Sequence, residues 1–392
     1  MKTESMLHIF GRKLKMALFQ LLDQCLARLP FKQNDGGVVI IRTDGIGDFV
    51  LWLDAAHALA NYYHHRGQTV TLLASSAWSE WATEFDIFDE VVSIDRSRFD
   101  SDMGYRVQIA MGLRRRAFAA AIQPIYSRRY FEDILLLLSR APERIGWAGD
   151  LSDPYPRMKR IRDGWYTRLV KSYVGPRMEI LRNGDFARQV AEPKYLARMP
   201  DLRSLNRGQV PESFRSEMPL GEPYYVLCPG ASFEIKRWPE ANYAELAKLI
   251  FMRTGWRGIV CGGTEDREAA ASLCAAATAP LLNWAGRTSI SELSAILSQA
   301  RLLVANDTGA AHIAAALGTP TVCLLGGGHY GRFFPYQVEK TDNRPLPLTA
   351  VHAMPCFGCH WKCIFPVEPG DCGPCIGEIS IDQVWTLVSS VV

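Results

Sequence analysis

"RLLVANDTGAAHIAAALGTPTVCLLGG", residues 301–327, decides how this chain is read. A short apolar run, RLLVA, breaks at the polar NDTG. An alanine-rich segment then runs to Gly318, and a second apolar run, TVCLL, follows. Short apolar runs bounded by turn residues suit buried strands, whereas a ten-residue apolar segment closed by glycine suits a helix. Strand, helix, strand is therefore the reading, and two strands joined through a helix lie parallel.

The same alternation extends outward in both directions. Upstream stand "YYVLCPG" (224–230), the helical "EANYAELAKLIFMRTG" (240–255), "GIVCGG" (258–263), "REAAASLCAAA" (267–277), "LLNWAG" (281–286) and "SISELSAILSQA" (289–300). The first half repeats the theme with "VVIIR" (38–42), "DFVLWLDAAHALANYYHHRG" (48–67), "TVTLLA" (69–74), "EVVSID" (90–95) and "AAAIQPI" (119–125). A chain of 392 residues exceeds one ordinary core. The expected fold is α/β: two Rossmann-like, doubly wound parallel-sheet domains facing across a cleft. The expected divisions are an N-terminal amphipathic segment (1–35), a first domain (36–208), a second (209–350), a cysteine-rich segment (351–378) and a C-terminal helix (379–392) returning to the first lobe.

Composition narrows the function classes. A formal charge of +3 is too small to imply nucleic-acid binding. From Arg157 to Arg207, however, thirteen Lys/Arg face five Asp/Glu, with Arg114, Arg115 and Arg116 upstream. That excess fits an anionic partner or a solvated surface. No stretch reaches the roughly 18 apolar residues that span a bilayer. Near the start, Leu7, Phe10, Leu14, Leu18, Leu21, Cys25 and Leu29 follow helical spacing, with Arg12, Lys13, Lys15 and Arg28 among them. Such a helix packs on its own domain or rests on a membrane surface.

Four loops carry chemistry. In "RTDGIGDFVLW" (42–52) Gly45 and Gly47 resemble a dinucleotide fingerprint, but Val50 fills the third glycine position. Asp48 begins the helix, where it serves either as a base toward a hydroxyl or as a helix cap. In "NDTGAAH" (306–312) Asp307 can cap the helix, Thr308 offers a hydroxyl, and Gly309 permits close backbone approach. A helix terminus of this kind suits a diphosphate, with His312 one turn in. "PGASFEIKRWPE" (229–240) supplies Ser232 and Lys236, whose ammonium can neutralise a departing diphosphate. "CGGTEDRE" (261–268) supplies Glu265 and Glu268 for sugar hydroxyls.

Taken in order, "GIGDFVLWLDAAHALA", "PGASFEIKRWPEANYAELA", "GRTSISELSAILSQARLLVANDTGAAHIAAALGTPTVCLLGG" and "CIGEISIDQV" resemble the signatures of glycosyltransferase family nine, the bacterial heptosyltransferases. The resemblance implies a GT-B fold, an ADP-heptose donor, inversion at the anomeric carbon and no catalytic metal. It places the general base on Asp48 and the diphosphate lysine on Lys236. The donor set becomes Ser232, Lys236, Glu265, Glu268, Asp307, Thr308, Gly309 and His312. The acceptor set becomes Arg42, Asp44, Gly47 and Asp48, with Asp44 departing from the Ser or Met of many members. The implied partners are an ADP-sugar and an anionic glycan or glycolipid, such as lipopolysaccharide core, with no nucleic acid. The implied location is cytoplasmic, with peripheral contact at the inner membrane. A protein acceptor, another nucleotide sugar and a non-catalytic metal-dependent binding module stand as alternatives.

Five of the ten cysteines fall in "CFGCHWKCIFPVEPGDCGPC" (356–375), spaced C-x2-C-x3-C-x8-C-x2-C. Two C-x2-C pairs point to a structural zinc or iron held by four thiolates, with a redox pair or reduced thiols as alternatives. The ligands would be Cys356, Cys359 and Cys375 with either Cys363 or Cys372; His352 and His360 are weaker candidates. Similar cysteine-rich ends occur in part of the family, including autotransporter heptosyltransferases. Cys25, Cys228, Cys261, Cys274 and Cys323 read as small core residues.

Overall fold

Strand β1 (Gly36–Arg42) has no polar side chain between Val38 and Ile41, and all four of those residues are fully buried. A strand covered on both faces needs that pattern. The computed structural model describes residues 18–28, 36–150, 156–173, 175, 177–218, 221–339 and 342–392. In it Ile40 of β1 lies opposite Leu72 of β2 (Val70–Ser75) and Ile122 of β4 (Phe118–Gln123), both pairings parallel. With β3 (Glu90–Ile94), β5 (Glu143–Trp147) and β6 (Arg168–Val170) the sheet has the order β3-β2-β1-β4-β5-β6.

The second sheet repeats that order six strands later. It comprises β7 (Tyr224–Cys228), β8 (Arg257–Val260), β9 (Leu281–Asn283), β10 (Leu302–Asn306), β11 (Thr321–Leu324) and β12 (Leu348–Ala350), arranged β12-β11-β10-β7-β8-β9. Every pairing in it is parallel. The opening stretch thus forms β10, the helix Gly309–Leu317 and β11. Both sheets are doubly wound, with their order reversing beside β1 and beside β7, and ligands bind outside the carboxyl ends of strands at such points.

The chain divides into two compact units. One contains Met1–Asp44, Ala56–Tyr173 and Phe186–Lys194; the other contains Gly45–Ala55, Val174–Asp185 and Tyr195–Val392. Val39, Ile41, Leu73, Ala121, Leu135 and Leu138 are among the buried residues of the first core. Leu227, Leu246, Val260, Leu302, Val304 and Val322 are among those of the second. The helix Glu240–Thr254 ends on Gly255, and Ser289 and Glu292 form a reciprocal capping box ahead of Ile290–Gln299.

Three expectations are corrected. The C-terminal helix Ile381–Ser389 does not return to the first lobe: Val384 and Val388 are buried in the second core, against β11, β12 and Glu240–Thr254. It follows directly on the cysteine segment, which already lies on that sheet. At the other end, residues 18–28 are helical, but Leu18, Leu21 and Cys25 face outward while Phe19, Asp23 and Leu26 are buried. Asp23 is drawn in because Arg106 donates to both its oxygens, at 2.7 and 2.6 Å, and Tyr130 donates to it at 2.6 Å. Cys25 is therefore not a core residue. Leu7, Phe10, Leu14 and Leu29 of the proposed stripe lie outside the described residues. No helix among the described residues is long and apolar enough to cross a membrane.

Candidate functional site

Because β7 and β10 are neighbours in the second sheet, the loops leaving their carboxyl ends meet. Lys236 closes a 3-10 turn, Glu234–Lys236, in the first loop, and Asp307 opens the second. Lys236 is only 8% exposed; its ammonium donates to the Asp307 carbonyl at 3.1 Å and pairs with Asp307 Oδ2 at 3.0 Å. A buried ammonium needs such a counterion. Asn306 latches the loops together, donating from Nδ2 to the Pro229 carbonyl at 2.6 Å and accepting from Trp238 N–H at 3.2 Å.

Pairing with Lys236 takes Asp307 away from the capping role expected of it. Thr308 is the residue at the cap of Gly309–Leu317; its side chain makes no capping bond, and its buried hydroxyl has no hydrogen-bond partner. The first turn of that helix, with orphan N–H groups and the positive end of the dipole, thus carries an unspent hydroxyl beside an ammonium. An anion with several oxygens satisfies all of them.

His312 is buried one turn into this helix. Its ring stacks on Phe334 at 4.5 Å and 11°, and Nδ1 is hydrogen-bonded to the Tyr336 hydroxyl at 2.9 Å. Burial, opposed by Asp307 and aided to a smaller extent by Lys236, leaves its pKa pushed down to about 4. His312 is therefore neutral at pH 7. Gly47, from the helix Ile46–His64, presses on it: a Cβ at that position would come within 2.8 Å of His312 Cδ2, and one on Gly309 within 2.4 Å of Ile46. Only glycine permits this approach of the two helix starts. Asp48, the next residue, is half-buried in the first turn of its helix.

Other sequence candidates stand elsewhere. Within the first unit, Arg42 is fully buried and donates from Nε to Asp44 Oδ1 at 2.9 Å, while Trp78 donates to the Asp44 carbonyl at 2.8 Å. Thr43 donates to Glu132, whose carboxyl is pushed up by burial. Ser232, Glu265 and Glu268 are exposed. The carboxylate that reaches inward from that loop is Asp266, which accepts from Gly263 N–H at 3.0 Å and lies 3.5 Å from Arg237. The basic stretch is partly internal: Arg162 pairs with Asp133, Lys159 with Asp163, and Arg177 with Asp185. Arg157, Arg160, Arg168 and Arg198 remain exposed.

In the cysteine segment, Cys356, Cys359, Cys363 and Cys375 line one cavity with Trp361 and Ile235. Burial and the nearby thiols of Cys359, Cys356 and Cys363 push the Cys375 thiol up, and Gly327 N–H donates to its sulfur at 3.4 Å. Cys372 is not among the lining residues and stands against Gly377. Among the described residues no group of three or more His, Cys, Asp or Glu is already arranged as a metal site. Cys228, Cys261 and Cys323 are buried, and Cys274 partly so.

Comparison with known proteins bears on the family and the fold. The model of glycosyltransferase family 9 (heptosyltransferase) matches residues 134–359. Lipopolysaccharide heptosyltransferase 2 of Salmonella typhimurium is 25% identical over 305 residues, 74% of this chain and 82% of its own. The ADP-heptose lipopolysaccharide heptosyltransferase II of E. coli superposes with a TM-score of 0.65 at 20% identity, covering 91% of this chain and 98% of its own. The iron-containing dodecameric glycosyltransferase TibC of enterotoxigenic E. coli shares the fold with a TM-score of 0.52 at 12% identity, covering 92% and 77%.

Proposed function

We propose, for a chain that belongs to glycosyltransferase family 9, the heptosyltransferases, that it moves heptose from ADP-heptose to an acceptor hydroxyl of lipopolysaccharide core with inversion. The observation that carries this reading is the Lys236–Asp307 pair beside the unpartnered Thr308 hydroxyl at a helix N-terminus. Asp48 takes the proton of the acceptor hydroxyl as its oxygen attacks the anomeric carbon. The bond from that carbon to the diphosphate oxygen breaks, and ADP leaves with the bonding pair. Lys236, Thr308 and the N–H groups opening at Gly309 hold the charge that accumulates on it. Neutral His312 stands with Nε2 4.0 Å from Asp307 Oδ1 and adds no second buried cation.

In this reading residues 36–208 take the acceptor and 209–350 the donor, as the two halves of a GT-B enzyme. Arg42 and Asp44 shape the acceptor loop, and the exposed arginines from 157 to 198 favour an anionic glycan at the cytoplasmic face of the inner membrane. Ser232, Glu265 and Glu268 are the outer contacts of the donor sugar and ribose. Calorimetric titration tests the donor: ADP binds more tightly than UDP or GDP, whereas tighter UDP binding overturns the assignment.

The cysteine segment fits a structural zinc or iron ion held by Cys356, Cys359, Cys363 and Cys375. These four cysteines line one cavity, tetrathiolate sets are what such ions take, and thiolate–metal bonds would draw together a segment with little core of its own. Proton transfer and leaving-group stabilisation as written are carried by side chains and by the backbone N–H groups of the helix start.

A further inference from the structure

The cysteine segment grips the loop that bears Lys236 and the loop that leaves β11. Gly373 N–H donates to the Ile235 carbonyl at 3.0 Å and Gly370 N–H to Glu234 at 3.1 Å, so the turn bearing Lys236 is held from one side. Gly358 and His360 donate from their N–H groups to the carbonyls of Gly327 and Gly328, at 2.8 and 3.0 Å, just beyond β11. Between these attachments His360 and Trp361 have φ of 52° and 62°, a left-handed backbone that residues with side chains rarely hold. Observed strain of this kind marks a constraint that the surroundings enforce. Its consequence is the place of the indole. Trp361 lies with its ring 5.3 Å from the Lys236 ammonium, donates from Nε1 to His329 Nδ1 at 3.3 Å, and fills the space where a side chain on Gly328 would stand, 2.3 Å from the ring. An ammonium over an indole face is attracted to it, the more so away from water.

We propose that Trp361 is a positioning residue for the diphosphate lysine: its indole face holds the Lys236 ammonium beside Asp307, so that the cysteine segment sets donor affinity. The proposal rests on the donor reading above. Lys236 has three N–H donors and spends one on the Asp307 carbonyl and another on its carboxylate. The indole face attracts the ammonium and keeps it from swinging away, while its charge remains open to a phosphate oxygen. Half-buried His329 accepts the indole N–H at Nδ1, which fixes the ring.

The test is a double-mutant cycle on the full chain, with ADP and inorganic diphosphate as titrants. Trp361→Ala should weaken both by roughly 3- to 30-fold and raise KM for the donor, leaving KM for the acceptor unchanged. Trp361→Phe, which keeps a ring face but loses the N–H, should recover most of the affinity. In a Lys236→Met background Trp361→Ala should have no further effect on binding. Unchanged affinity in folded Trp361→Ala overturns the proposal, and so does an equal loss with and without Lys236. Wild-type protein that binds diphosphate but not ADP overturns the adenine-nucleotide reading and leaves the cycle to decide the role of Trp361. Binding of neither overturns both.

Discussion

Replacing Lys236 by methionine keeps the length and apolar stem of the side chain and removes its charge, which separates two jobs. Lys236 and Asp307 are 8% and 7% exposed, so the variant strands a carboxylate in a nearly dry site. Breaking a buried pair by deleting one partner costs about 3–5 kcal/mol. The donor loses a charge-assisted hydrogen bond of about 1.5–3 kcal/mol, roughly a 10- to 150-fold rise in the Kd of ADP. Adding Asp307→Asn removes the stranded charge, so the double variant should return to within about 1 kcal/mol of wild type, since replacing a whole buried pair is near neutral. Its ADP affinity should stay low, because the anion still lacks its cation. Urea unfolding and calorimetric titration of the three proteins read the two effects apart. A Lys236→Met protein with wild-type stability, or a double variant no more stable than the single, refutes the buried pair. Wild-type affinity in either refutes the diphosphate role.

Asp48→Asn should lower transfer by roughly 10²–10⁴-fold with ADP binding nearly unchanged, as loss of a general base requires; wild-type turnover would reduce Asp48 to a structural carboxylate in its helix. His312 falls from an ordinary 6.5 to about 4 in the folded chain. Between those values the unfolded chain binds a proton that the folded chain does not, so stability is full above about 6.5 and is lost as pH falls, by about 1.4 kcal/mol per unit. His312→Gln should flatten that slope by one proton, and a slope unchanged in the variant would show that His312 is not the group responsible. Elemental analysis of protein purified without added metal should find about one zinc or iron per chain, lost in Cys375→Ser and Cys356→Ser and retained in Cys372→Ser; metal-free wild-type protein of full stability would refute the site.

The strands and helices of residues 224–327 were legible because each is a bounded apolar run of the right length. β5, β6 and β12 were not: ERIGW, RLV and LTA are short, and the first two carry charge, so only their place beside longer strands makes them strands. The N-terminal helix misled for a related reason. Periodicity assigns Asp23 to solvent, and nothing local reveals that Arg106, 83 residues later, will bury it. The site shows the same division. Lys236, Asp307, Thr308 and His312 announce themselves as residue types in loops after strands, but the pairing of Lys236 with Asp307 depends on the strand order that sets β7 beside β10. Thr308, not Asp307, is left at the cap because a buried ammonium competes harder for the carboxylate than N–H groups do. Cysteine spacing pairs Cys372 with Cys375, yet the chain between them turns Cys372 toward Gly377 and leaves Cys363 in the cavity. Trp361 gave no signal, since a tryptophan between cysteines reads as packing until its ring is found over Lys236.

Transfer itself is read by ADP release from ADP-heptose with and without a heptose-deficient lipopolysaccharide core. On this mechanism release depends on the acceptor, moves heptose onto it with inverted anomeric configuration, and collapses in Asp48→Asn. Release that ignores the acceptor, or turnover of a UDP-sugar with none of ADP-heptose, would contradict it.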